Sequence, residues 1–466
     1  MRKFLTFLAI AAMAFSVAAC SPRQTEPDCD PETMDGTTVC YDSVSGTFAV
    51  EKGAKIRFGV DNETWGKAIV ALWDKTYPAL AGTVEYVNSG SQGSTDSVAV
   101  QQGEWPDVFM AIDGETPRNS SHLLPMHAEL AKIVKANSVE SFFNAGNATE
   151  GVVHYAPMTY DGMAFIWNKT MLEALGLNTA DANGDNLPDA FDTWEEIFAL
   201  STAWAANRPE YKGKKVNVVF PLTLTNQWSD YHHLTSAGWE LFGSGDPTKP
   251  GYDDPKFAEG LKFILAAKEA KISVEESGQV SPADSMGWRW DNVINEEIAP
   301  FGLVGTWMDV AAAQTTTGST FMISPVPTYN GINQRPFVKT KGFVINAYTK
   351  WRSAATELMR LVYSKDGFQA MVTGTSYAPS LVDGSNLVPT LTAGGIQEQM
   401  MSAFVYNYPE PALLLPNNKA RKSMDSAYYP FISNTERAIW DGTKTIAEAV
   451  AELIELSNAA IEADNK

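Results

Sequence analysis

Strand, helix, strand, helix and strand follow one another between residues 55 and 111, and that alternation confines the chain to an α/β fold. Residues 55–60 alternate like a strand, and 64–77 place Trp65, Ala68, Ile69, Leu72 and Trp73 at helical spacing. A second strand is read at 84–87, the end of a helix at 98–102, and a short, wholly apolar strand at 106–111. Such an order implies a parallel sheet wound by crossover helices. Further strands are expected at 164–167, 216–220, 301–304 and 342–346, and helices at 193–206, 255–271, 353–364 and 444–464. With 466 residues, 44% of them hydrophobic, the chain has material for two sizeable cores.

The first twenty residues carry an address. Arg2 and Lys3 give a basic start, residues 4–19 are apolar apart from Thr6 and Ser16, and Val17, Ala18 and Ala19 precede Cys20. This is the pattern of a signal peptide over 1–19, with an apolar stretch too short for a comfortable permanent span. Its end resembles a bacterial lipobox, which implies a lipid on Cys20 and a protein anchored outside the cytoplasmic membrane, periplasmic or at the cell surface. An ordinary signal peptide with an incidental Cys20 is the alternative. Residues 20–52 are rich in Pro, Asp, Thr, Ser and Gly and read as a tether and linker. Cys29 and Cys40, separated by Pro31, Asp35 and Gly36, are placed to close a small disulfide loop in an oxidising compartment. No histidine lies near enough to make them a metal pair.

The net charge of −20 opposes binding to phosphate backbones and argues against nucleic acid as a partner. Removing Arg2 and Lys3 with the leader would deepen the negative excess, so retention at an anionic bilayer would rest on the lipid.

Five local signatures stand in order along 53–466: Gly103-Glu-Trp-Pro-Asp-Val-Phe109; Ala164-Phe-Ile-Trp-Asn-Lys169 with Leu172; Thr193-Trp-Glu-Glu196; Val304-Gly-Thr-Trp307; and Lys341-Gly-Phe-Val-Ile-Asn346 followed by Ser364-Lys-Asp-Gly-Phe-Gln369. Together they resemble the extracellular solute-binding proteins of maltodextrin-type ABC importers. The resemblance implies a two-lobed, periplasmic-binding-protein-like α/β fold of type II, with the ligand cleft between lobes. One lobe would take 53–158 and 322–372, the other 159–321 and 373–466. It also implies a monomer that closes on a saccharide and presents the closed form to a membrane permease.

Sugars need aromatic faces for their C–H surfaces and carboxylates or amides for their hydroxyls. The matched positions imply Asp61, Asn62 and Glu63 after the first strand, Asp113 after the third and Asp161 before Trp167. Trp228 and Trp307 come from second-lobe loops, and Tyr428 or Tyr429 would be a late aromatic platform. Trp288 and Trp290 either line the cleft or point to opposite sides of a loop. Each tryptophan has packing as its plain alternative, and Glu63 has solvation.

Residues 181–192 form a separate signature. Asp181, Asn183, Asp185, Asp189 and Asp192 occupy positions 1, 3, 5, 9 and 12 of a twelve-residue loop, with the Leu187 carbonyl at position 7. That is the EF-hand ligand spacing, and an all-oxygen set suits Ca²⁺ in a structural role. Asn186 replaces the usual Gly at position 6, and Asp192 replaces the bidentate Glu at position 12. An acidic turn that merely bends the chain is the alternative. Catalytic motifs are absent: no G-x-S-x-G, H-E-x-x-H, S-x-x-K or P-loop occurs. The expected function is therefore ligand capture. A surface carbohydrate sensor or adhesin is the second reading and a secreted glycoside hydrolase the third.

Overall fold

The computed structural model describes residues 29–147, 151–226, 228–246, 248–289, 291–406 and 427–464. Cys20 and Trp290 lie outside them. No helix among the described residues is long and apolar enough to cross a membrane.

One strand organises the molecule. Ala156–Asn168 runs for 13 residues, and all but Asp161 are buried. A strand buried on both faces reads as a continuous apolar run, which is why the sequence reveals only its second half. Its first half pairs antiparallel with Val338–Ile345, ending at the Val338–Gly162 pair. From Met163 onward it pairs with Phe301–Gly305 on one side and, from Phe165, with Phe321–Ser324 on the other. The strand therefore changes partners between Gly162 and Met163. Gly162 is required there, because a Cβ would stand 2.6 Å from the Phe337 carbonyl oxygen.

Each half sits under its own core. On the first side, Ile56–Val60 pairs in parallel with Val84–Asn88 and Val108–Ile112, and Val338–Ile345 closes against Val108–Ile112. Phe58, Trp65, Trp73, Met110, Phe343, Leu358 and Phe368 fill that core, which also takes Tyr377 and Leu381. On the second side, Phe165, Trp194, Phe220, Tyr231, Trp239, Phe263 and Phe301 form a core dominated by aromatic contacts. The helix Trp194–Trp204 opens with the expected capping box, Thr193 and Glu196 bonding each other's backbone.

Some local expectations change. Residues 216–220 form only a single bridge, Val218 with Ser273, because Pro221 has no N–H with which to continue a ladder. The helix expected over 255–271 is two helices, Pro255–Gly260 and Lys262–Glu269. A Cβ at Gly260 would meet the Leu234 carbonyl oxygen at 2.4 Å, so the break is also where two segments touch.

The linker reading is corrected for residues 29–52, which are folded onto the first core. Cys29 and Cys40 are disulfide-bonded, as expected. Tyr41–Asp42 and Thr47–Phe48 pair as a hairpin, and Phe48 enters the core. The buried Glu51 carboxylate accepts the Ser353 and Ala354 N–H groups at 2.9 and 2.8 Å. Those donors open the helix Arg352–Val362, whose own N-cap Trp351 supplies no side-chain bond. A helix N-terminus needs such acceptors and favours negative charge, so the acidic segment docks there. Opening the disulfide, which spans 11 residues, is expected to cost the docked segment about 2–3 kcal/mol. Limited proteolysis with and without reductant checks this: cleavage within 29–52 should accelerate on reduction while the two cores stay resistant.

Candidate functional site

The partner change at Gly162 leaves charged residues where the two bodies meet. Asp161 precedes Gly162 and stands opposite Lys339 in the ladder, and Lys341 lies two residues further along the same strand face. Lys341 Nζ lies 3.1 Å from the Tyr377 hydroxyl, 3.4 Å from Asp61 Oδ2 and 3.6 Å from Asp161 Oδ1. The Tyr377 hydroxyl and Ser91 Oγ donate to Asp61 Oδ2 at 3.1 and 3.3 Å. Asp61 Oδ1 is buried and takes no hydrogen bond.

These groups are largely withdrawn from water, with side-chain exposures of 11% for Lys341, 13% for Asp161 and 19% for Asp61. Burial alone would lower the Lys341 ammonium. The Asp161 and Asp61 charges, with the hydrogen bond to the Tyr377 hydroxyl, more than offset it and hold the group above the ordinary lysine range. Burial pushes the Tyr377 hydroxyl up to about 12, so it remains a donor at neutral pH.

Two tryptophans complete the ring. Trp307 follows the strand Phe301–Gly305 and is 38% exposed, the largest exposed aromatic among the described residues. Its ring lies on Gly305, where a Cβ would come within 2.5 Å, so glycine lets the indole lie flat on the strand end. Trp228 meets Trp307 edge-on at 6.2 Å and packs on Phe337 at 4.7 Å. Lys339 Nζ stands 4.7 Å over the Trp228 ring, a cation–π contact that covers part of that surface. Ser376 Oγ donates to the Trp307 carbonyl at 3.3 Å and ties the indole segment to the residue next to Tyr377. The result mixes aromatic surface, carboxylates, hydroxyls and ammonium groups where the two cores meet.

Of the residues read from sequence, Asp61, Asp161, Trp228 and Trp307 converge here. Asn62 instead caps the helix Glu63–Thr76, accepting the Trp65 N–H at 2.9 Å. Glu63 faces solvent beside Lys67. Asp113 is buried, accepting from Thr340 N at 2.8 Å, Thr340 Oγ1 at 3.2 Å and Gly114 N at 2.5 Å. Burial pushes its carboxyl up to about 6. Tyr428 is wholly buried in the second core, with Tyr429 packed on it at 5.6 Å, and Trp288 packs half-buried on a third cluster. Lys339, Lys341, Tyr377 and Ser91 went unread. The two lysines had a signal, alternating positions on one face of an otherwise apolar strand, whereas Tyr377 had none.

The 181–192 loop is closed by its own side chains. Asp181 accepts the Gly184 and Asn186 N–H groups at 2.7 and 2.9 Å, Asn183 accepts from Asp185 at 3.0 Å, and Asp185 accepts from Leu187 at 2.8 Å. Asp189 accepts from Ala182 at 3.0 Å. Asn186 takes a left-handed φ of 68°, the conformation for which position 6 ordinarily uses glycine. Asp192 Oδ1 is buried without a partner. Burial first, then the charges of Asp185, Asp189, Glu196 and Asp181, push Asp192 up to about 6. Among the described residues no group of three or more His, Cys, Asp or Glu is arranged so that it could hold a metal ion.

Comparison with known proteins places these observations. Three solved structures share the fold: the maltodextrin-binding protein MalE1 of L. casei BL23 without ligand (18% identity, TM-score 0.64, 88% of this chain and 98% of that one); a cyclo/maltodextrin-binding protein complexed with maltotetraose (16%, 0.63, 87% and 97%); and the maltose-binding periplasmic protein MalE of Listeria monocytogenes in complex with maltose (17%, 0.65, 88% and 98%). These similarities establish the two-lobed α/β architecture. No curated protein matches the chain in sequence. The family model described as bacterial extracellular solute-binding protein matches residues 82–391, and the chain belongs to that family of binding proteins.

Proposed function

We propose that this chain captures an oligosaccharide, maltodextrin-like or related, in the concavity around Asp61, Asp161, Trp228 and Trp307 and delivers it to an ABC permease. The observation that carries the reading is Trp307, an exposed indole beside carboxylate and hydroxyl groups where one strand passes between two bodies. The ring offers a face to sugar C–H surfaces, and the neighbouring Asp61 and Asp161 carboxylates offer acceptors to its hydroxyls. Closure would turn about the partner change at Gly162, burying the ligand from both sides. Lobes divided near 158/159, 321/322 and 372/373, a lipid on Cys20 and a monomeric state belong to the same proposal. Tryptophan fluorescence titrated with maltose and longer maltodextrins tests it. Saturable change without product is expected, and product formation would identify a hydrolase instead.

The 181–192 loop is proposed as a structural Ca²⁺ site. Support comes from the left-handed Asn186, the unpartnered Asp192 oxygen, and the burial and secondary repulsion from neighbouring carboxylates that raise Asp192. A divalent cation would relieve that repulsion. Ca²⁺ should raise the melting temperature, EDTA should reverse it, and Asp181→Ala should abolish the response. Because protons compete for Asp192 near pH 6, the Ca²⁺ effect should shrink as pH falls below that value.

A further inference from the structure

The strand Phe301–Gly305 ends in a turn held by a buried side chain that does not itself face the ligand space. Met308 N bonds the Gly305 carbonyl at 2.9 Å, so Thr306 and Trp307 are the two central residues of a β-turn. Met163 stands opposite Gly305, which puts Gly162 opposite Thr306. A hydrogen-bonded antiparallel pair exchanges two backbone bonds. One is present, from Thr306 N to the Gly162 carbonyl at 3.0 Å. The other has changed acceptor, because the Gly162 N–H goes to Thr306 Oγ1 at 3.2 Å. The hydroxyl then donates its own hydrogen to the Tyr160 carbonyl at 3.1 Å. Thr306 is wholly buried, so water does not stand in for any of these partners.

We propose that Thr306 is a positioning residue whose hydroxyl replaces the missing strand carbonyl, so that the chain turns off to present Trp307 while Asp161 stays fixed beside it. Tyr160 and Gly162 flank Asp161 in the chain, so one side chain fastens the backbone on both sides of that carboxylate. The same residue directly precedes the one that carries the indole. Asp161 is otherwise held by Lys341 at 3.6 Å, and the indole segment by Ser376 Oγ at 3.3 Å, and neither contact joins the carboxylate to the tryptophan. The consequence for ligand capture rests on the function proposed above; the positioning itself does not. A position that needed only filled space would be served by valine, which has nearly the shape of threonine. This one needs an oxygen that donates and accepts at once, which serine supplies and valine does not.

The test is ¹⁹F NMR of the mature chain labelled with 5-fluorotryptophan, with no sugar added and the Trp307 resonance assigned with Trp307→Phe. Thr306→Val should displace or split that resonance, while those of the buried core tryptophans, Trp65 and Trp194 among them, stay in place. Thr306→Ser should return it to the wild-type position. Thr306→Ala also lacks the hydroxyl, should behave as the valine variant and serves if that one does not fold. A wild-type Trp307 resonance in folded Thr306→Val or Thr306→Ala, or a serine variant displaced as far as they are, overturns the proposal. Calorimetric titration with maltotriose reads the consequence, with binding about tenfold weaker in Thr306→Val and close to wild type in Thr306→Ser. Unaltered affinity in Thr306→Val would overturn the role in capture. A wild type that binds no maltodextrin would contradict the saccharide reading instead, and the ¹⁹F result would still decide the positioning.

Discussion

Lys341→Met is expected to lower stability by about 2–3 kcal/mol, a loss of roughly 5 °C or more in Tm. The methionine keeps the length and packing of the lysine stem but strips Asp61 and Asp161 of the ammonium that lies 3.4 and 3.6 Å away. Breaking a buried pair by removing one partner leaves an uncompensated charge, at a cost of about 3–5 kcal/mol when burial is complete. The remaining 11–19% exposure and the long separations reduce that figure. Asp61→Asn in the Lys341→Met background should recover part of the loss, since it removes the stranded charge. Calorimetry of the four proteins in this cycle measures the coupling. The pH dependence has a definite sign. Lys341 is raised in the folded state, so its contribution is complete below the unfolded lysine value of about 10.4 and is lost only as pH rises through the higher folded value. Between pH 6 and 9 the mutational cost should therefore be constant.

Trp307→Ala is expected to weaken ligand binding by about 10–100-fold, corresponding to roughly 1.4–2.8 kcal/mol. The indole is 38% exposed before a ligand arrives and lies flat on Gly305, so its open surface is available for burial. Stability should change little, because the ring contributes to none of the hydrophobic cores. Trp228→Ala should cost less affinity, since Lys339 and Phe337 already cover part of that ring. Calorimetric titration of both variants beside the wild type checks the order. Equal losses would mean that Lys339 leaves the Trp228 face when ligand enters.

The alternation from 55 to 111 was legible because each strand and helix there carries its own period, and the helix Glu63–Thr76 and strand Val108–Ile112 follow it closely. The long strand Ala156–Asn168 was only half legible. Complete burial erases the two-residue alternation, and the change of partner at Gly162 is a tertiary event with no local pattern. Residues 29–52 misled for another reason. Their composition is that of a linker, yet Glu51 finds the open N-terminus of a helix 300 residues away, and no local signal encodes that meeting. Asp61 and Asp161 were found through positions matched to the family resemblance, but Asn62 was claimed by its own helix as a cap and Asp113 by Thr340. Tyr377 lies outside every motif and reaches the site only through tertiary packing against Trp65.

The central claim is that the space around Asp61, Asp161 and Trp307 closes on a saccharide. Small-angle scattering of the mature chain with and without saturating maltotriose, alongside calorimetric titration across maltose to maltohexaose, tests it most directly. The account predicts saturable binding at about micromolar Kd for at least one of these sugars, with a smaller radius of gyration and no product. No heat and no contraction with any of them, or the appearance of shortened sugars, would contradict it.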